Sequence, residues 1–260
     1  MIWLEDLSGE RHERWDTADY GRAAKDLGRF SAHHAGRPLA SHRWLHRGCL
    51  RSLASIRGAG TLDLLARPET WQHPRVRRYF AESHLHRLVR VWQERDLYLN
   101  ALDRLPQTLC HFDISRHNLF LLDGSNGRRQ TVAIDWASAG IGALGEDLSL
   151  LVPPPFFRLE EDVTWLPQQA EMVFDGYMYG LVEDGWRGPE HLVRLGYTIA
   201  VALRTVFIAP TLLAMLDAQA RAYEERRWGA SLEQLMAWRA PLTYWLLDRI
   251  DEARGLLPIR

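Results

Sequence analysis

The stretch His111-Phe-Asp-Ile-Ser-Arg-His-Asn-Leu-Phe120, followed by Ala133-Ile-Asp-Trp136, sets polar side chains in a loop between short apolar runs. These residue types at this spacing suit phosphoryl transfer, which needs positioning and charge neutralisation more than covalent chemistry. An acceptor hydroxyl must be oriented and its proton received, and the Asp113 carboxylate can do both. Magnesium takes hard oxygen ligands, and Asn118 and Asp135 each offer one. His111 lies two residues before Asp113, on the same face if the segment stays extended, where it braces the loop rather than reacts. Arg116 is free to neutralise phosphate charge or to sit as a solvated loop arginine.

Positioning these groups needs a hairpin. Thr108 to Cys110 reads as a short strand, and Leu119–Leu122 and Thr131–Ile134 read as two more. Asp-Gly-Ser-Asn-Gly between the last two is a hairpin turn, which would bring Asn118 and Asp135 together on one ion. The remainder reads as helix. Thr17 can cap a first helix with Tyr20, Ala23, Ala24, Leu27 and Phe30 inward, ending before Gly36 and Pro38. Arg75 to about Arg104 reads as one amphipathic helix closed by Pro106, with Leu85, Leu88, Val89, Trp92, Leu99 and Leu102 inward. Helical patterns then run over Glu146–Val152, about Pro167–Glu183, Pro189 to about Ile208, Thr211–Glu224 and Leu232–Ala253. The expected fold class is α+β, mostly helical.

His111 to Phe120 with Ile134-Asp135-Trp136 resembles the aminoglycoside phosphotransferase and choline kinase-like family, relatives of protein kinases. The specific likeness covers about Leu109 to Leu150; the helices after it carry no diagnostic motif. The resemblance implies that Asp113 is the catalytic aspartate, Asn118 and Asp135 the magnesium ligands, and His111 the loop's structural histidine. It implies Asp147 as the anchor of the catalytic loop from a helix N-terminus, and ATP as phosphoryl donor to a small-molecule hydroxyl. Protein kinases carry a lysine two residues after the aspartate, where this chain has Ser115, so the likeness to them is weaker.

The family also grips its nucleotide with an N-terminal lobe bearing a glycine-rich strand-turn and a lysine. Upstream of His111 the nearest glycine pair, Gly58-Ala-Gly60, has a helical setting, and the single lysine, Lys25, lies in the first helix. Met1 to Leu7 resembles the family's hinge strand. The expectation is a protein kinase-like C-terminal lobe over residues 1–260, with a hinge-like segment at 1–7, the catalytic loop and hairpin at 108–136 and a helical subdomain at 146–260. The N-terminal lobe is then absent, encoded upstream or supplied by a separate chain; a noncatalytic, pseudokinase-like binding module is the alternative.

Composition narrows the rest. With 32 basic and 33 acidic residues the net charge is -1, which argues against nucleic acid as partner. Cys49 and Cys110 give no disulfide framework or metal spacing. The apolar stretch from Leu195 to Leu216 is interrupted by Arg204 and Pro210, which favours a buried helix pair over a membrane span. A cytoplasmic protein is expected. Arg204 on that apolar stretch calls for a buried partner such as a carboxylate, or contacts substrate. Glu160, Glu161, Asp162, Asp175, Glu183 and Asp184 form an ordinary solvated face or an acidic wall for a cationic acceptor. Trp136, Trp165 and Trp186 are expected to pack in the core rather than stack on a substrate ring. Gly140-Ile-Gly-Ala-Leu-Gly145 matches a dinucleotide fingerprint, but Pro153-Pro-Pro155 stands where the following helix should continue, so it is set aside.

Overall fold

The computed structural model describes residues 15–37, 42–123 and 129–257. The hinge-like 1–7 segment, Pro38 and the tip of the hairpin turn at 124–128 lie outside the described residues.

Helix α1 (Thr17–His34) is capped by Asp16, one residue before the expected Thr17. Asp16 accepts from the Asp19 amide while Asp19 accepts from the Asp16 amide, so two orphan donors are satisfied together. Strand β1 (His46–Arg47) leads to α2 (Cys49–Leu65), which contains Gly58 to Gly60, and then to short α3 (Pro68–Gln72). The single amphipathic helix expected over 75–104 is three: α4 (Pro74–Tyr79), α5 (Glu82–Gln93) and α6 (Arg95–Leu102). Phe80 and Ala81 are extended, and the Ala81 amide donates to His84 Nδ1, so a new N-terminus starts inside the pattern. Periodicity survives such a break because Leu85, Leu88, Trp92, Leu99 and Leu102 all still reach the core.

Strands β2 (Gln107–Cys110), β3 (Leu119–Asp123), β4 (Arg129–Ala133) and β5 (Gly140–Ala143) follow. β3 and β4 form the expected antiparallel hairpin, with Leu119 opposite Ala133. A three-stranded sheet in the order β1-β5-β2 was not expected; β5 runs antiparallel to β2 and parallel to β1. Its central strand is the glycine-rich 140–143 stretch, so those glycines pair within a sheet and do not form a phosphate-cradling turn.

A 3-10 turn at Glu146–Leu150 and the short α7 (Pro153–Phe157) replace the expected helix through Val152. After them come α8 (Leu166–Glu183), α9 (Glu190–Leu203), α10 (Ile208–Leu216), α11 (Ala218–Trp228) and α12 (Leu232–Leu256). The 190–216 stretch is long and apolar enough to cross a membrane. It breaks at a 3-10 turn over Arg204–Phe207, and most of α9 is buried within the protein.

Two apolar clusters flank the sheet region. One joins α2, α5 and α6 to α9, α10 and α12 through Leu88, Trp92, Ile199 and Leu247. The other joins α1 and α8 to the hairpin through Tyr20, Leu27, Leu119, Leu121, Phe174 and Tyr177. α1 and α8 approach so closely that a Cβ at Gly28 would strike the Tyr177 carbonyl, and one at Gly180 the Lys25 carbonyl. Glycine is required there by contact between backbones.

Candidate active site

The loop after β2 departs from extended geometry at Phe112, whose φ of 59° is left-handed. A bulky residue in that region is strained and persists only where its surroundings hold it. Asp147, in the first turn after Gly145, does the holding: its carboxylate oxygens accept the His111 amide at 2.7 Å and the Phe112 amide at 2.8 Å. The turn also lets the Asp113 amide donate to His111 Nδ1 at 3.2 Å. His111 Nε2 then donates to the Ile134 carbonyl at 2.8 Å, which sets a neutral Nε2–H tautomer on a fully buried ring. His111 therefore joins the loop to the hairpin's exit, and does not share an extended face with Asp113.

Asn118 closes the other end. Its Nδ2 donates to the Asp113 carbonyl at 2.8 Å, and its own carbonyl accepts the Ile134 amide at 3.0 Å. Asp135 follows directly, in a left-handed conformation with φ 59°. Asn118 and Asp135 thus meet at one end of the β3–β4 hairpin, and Asp135 is solvent-exposed. Asn118 presents its Oδ1, because Nδ2 is occupied, and the Asp135 carboxylate has no ion-pair partner among the described residues. Two hard oxygen donors at an open face fit magnesium, which binds through one or two protein ligands and keeps water and phosphate oxygens for the rest.

The half-buried Asp113 helps to line a cavity of about 430 Å³. Phe112 and Ser115 of the loop, Cys49 and Leu53 of α2, Phe157 of α7, and Arg204, Glu224, Arg227 and Trp228 help to line it. Neither Asn118 nor Asp135 does. A larger hollow of about 710 Å³ between α2, α10 and α11 shares Pro210 and Glu224 with it but holds none of the loop residues. We place the chemistry at the smaller cavity because a carboxylate on a strained, braced loop opens into it.

Burial dominates the electrostatics beneath the loop. It raises the Asp147 carboxyl, and the two amide bonds pull it back. It raises the neighbouring Glu146 to about 7, against one bond accepted from the Ala143 amide at 3.0 Å. A Cβ at Gly142 would lie 2.6 Å from both Glu146 Oε2 and the Phe112 ring, so only glycine lets β5 pass beneath the loop.

The remaining expected groups divide. Arg204 is 7% exposed, and Nε and Nη2 donate to Ser149 Oγ at 3.3 and 3.1 Å. Its partner is a hydroxyl, not the expected carboxylate; no carboxylate lies within ion-pair distance of it among the described residues. Arg116 is neither solvated nor open to phosphate: Nε pairs with Glu160 at 3.1 Å, and Glu161 lies 3.9 Å from Nη1. With His117 Nε2 also 2.8 Å from Glu160, those acids engage the loop's own Arg116 and His117 and line no part of the cavity. Glu183 pairs with Lys25 at 3.2 Å and with Arg29 at 3.5 Å, so Lys25 is held in α1, while Asp162, Asp175 and Asp184 face solvent. Trp165 is 53% exposed and Trp136 is 39% exposed, contrary to core packing, although Trp136 lies 4.5 Å from the His111 ring; Trp186 packs against the core. Cys49, Glu224, Arg227 and Trp228 gave no sequence signal, because each reaches the cavity only through the packing of α2 and α11.

A mostly helical α+β body built round a braced, aspartate-bearing loop fits the kinase-like class of fold. The chain belongs to the phosphotransferase enzyme family, whose model matches residues 1–192 of its 260. The match is wider than the Leu109–Leu150 stretch that carries the motif, and it ends within α9. No curated protein matches the chain.

Proposed function

We propose that the protein transfers the γ-phosphoryl group of ATP to a hydroxyl of a small molecule, with magnesium. The observation that supports this most is Asp113, a half-buried carboxylate lining a cavity from a loop pinned at both ends by Asp147, His111 and Asn118. Asp113 accepts the acceptor's O–H as hydrogen bond and then as proton, while that oxygen bonds to phosphorus and the bond to the ADP oxygen breaks. Asn118 and Asp135 would hold magnesium, which when bound offsets the charge on the phosphates. ATP as donor rests on the family. The chain's single lysine, Lys25, pairs with Glu183 in the first helix, so it is not the cation that steadies the nucleotide in this reading. The near-neutral charge and two free cysteines support a cytoplasmic protein whose partner is a small molecule rather than nucleic acid or membrane.

Phosphorus NMR tests this: the chain, with any polypeptide that co-purifies, is incubated with ATP, magnesium and a panel of alcohols. ADP and a new phosphate monoester should appear together and vanish with EDTA. ATP that persists unchanged across the panel contradicts the proposal. A noncatalytic binding module draws support from the engaged Lys25; it predicts no heat on titration with magnesium–ATP, and micromolar affinity overturns it.

A further inference from the structure

The cavity's charge does not suit a cationic acceptor. Glu224 is not free to meet one, because Arg239 Nη1 holds its Oε2 at 2.8 Å in a pair that is 1% and 7% exposed. Asp113 is reserved by the reaction for the acceptor hydroxyl. The charges left in the lining are Arg158, Arg204 and Arg227. Arg204 is the deep one, and Ser149 Oγ, its hydrogen-bond partner, already donates to the Glu146 carbonyl at 2.8 Å. A buried guanidinium whose hydrogen-bond partner among the described residues is a neutral hydroxyl keeps donor capacity for an anion, and its flat fork suits carboxylate. Arg227 stands at the rim, its guanidinium over the Trp228 ring at 5.3 Å and its Nη1 donating to Tyr223 at 3.2 Å. Leu53, Phe157, Phe207 and Trp228 supply apolar walls, and about 430 Å³ holds a ligand of one ring or a little more.

Arg204, Arg227 and Trp228 all lie beyond residue 192, where the family match ends. The acceptor side of the cavity is therefore built from a part of the chain that the family pattern does not describe.

We propose that the acceptor is a hydroxy acid with a compact apolar or aromatic body, its carboxylate held by Arg204 with Arg227 at the rim and its hydroxyl at Asp113. This rests on the phosphotransfer reading for the role of Asp113 alone. The competing role for Arg204 is structural: it ends α9, where a cation is favoured, close to the acids Glu146 and Asp147.

Three isosteric probes decide between them: 4-(hydroxymethyl)benzoate, 1,4-benzenedimethanol and 4-(aminomethyl)benzyl alcohol share a ring and a hydroxyl and differ in charge. Calorimetric titration of the whole chain without nucleotide should show the acid binding about tenfold tighter than the diol, and the amine weakest. Arg204→Met should abolish that order. Because this variant can fail to fold, Arg158→Gln/Arg227→Gln provides a second arm: both sites are exposed, the melting temperature should hold, and the preference for the acid should fall about threefold. An amine bound as tightly as the acid overturns the proposal, as does an order unchanged in the folded variants. The steps fail separately: acid binding without any phosphorylated product counts against phosphotransfer alone, and phosphorylation of amines in preference to acids counts against this inference alone.

Discussion

The surroundings of the 111–118 loop are built on two different principles. On the cavity side, charges are buried and locked: Asp147 by two amides, Glu224 by Arg239, and Arg204 by Ser149. On the hairpin side, Asn118 and Asp135 stand at an open face where Ile134 and Trp136 are 38% and 39% exposed. The difference teaches where each kind of energy sits. Buried groups fix the loop's backbone against the strain at Phe112, and exposed oxygens stay free for a ligand that arrives from solvent. Stability should therefore rest on the buried groups beneath the loop, and metal binding on the open face.

Substitutions can break that separation. The largest loss of stability should follow Arg239→Met, which strands the Glu224 carboxylate in the interior and costs about 3–5 kcal/mol by urea denaturation. Asp147→Ala removes the acceptor of the buried His111 and Phe112 amides and should cost about 3 kcal/mol in the same assay. Glu146 works with the opposite sign. Its folded carboxyl titrates at about 7 against an ordinary 4.5, so the unfolded chain releases the proton first. Its contribution to stability therefore falls as pH rises from 4.5 to about 7 and is level above that. Glu146→Gln should stabilise the protein by about 1–2 kcal/mol at pH 8, with the gain shrinking toward pH 5; a constant gain across that range would contradict the assignment. The smallest stability change belongs to the open side: Asp135→Asn should alter unfolding by less than about 0.5 kcal/mol yet raise the magnesium needed for half-maximal turnover about tenfold or more. If it destabilises as much as Asp147→Ala, the two sides do not differ as described.

The groups legible in the sequence were those whose partners lie close along the chain or in the hairpin it announces. Asp113, Asn118 and Asp135 share one loop and one hairpin, and His111 reaches Ile134 across that same unit. Arg116 was illegible because its partners, Glu160 and Glu161, approach only through tertiary packing. The three-stranded sheet was hidden for a different reason: β1 has two residues, and β5, Gly-Ile-Gly-Ala, lacks the β-branched alternation that marks a strand. The breaks at Phe80–Ala81 and Glu94 escaped because apolar spacing continues across them and neither contains glycine or proline. The cavity was illegible as a whole, since it exists only where α2, α7 and α11 converge on the loop.

The braced loop presents one carboxylate to the cavity, and Asp113→Asn removes its charge while keeping its shape. The side chain is half-buried and anchors no backbone group among the described residues, so the melting temperature should move by less than about 2 °C while kcat falls by about 10²- to 10⁴-fold. A folded Asp113→Asn protein that keeps kcat within about threefold of the parent would contradict the account.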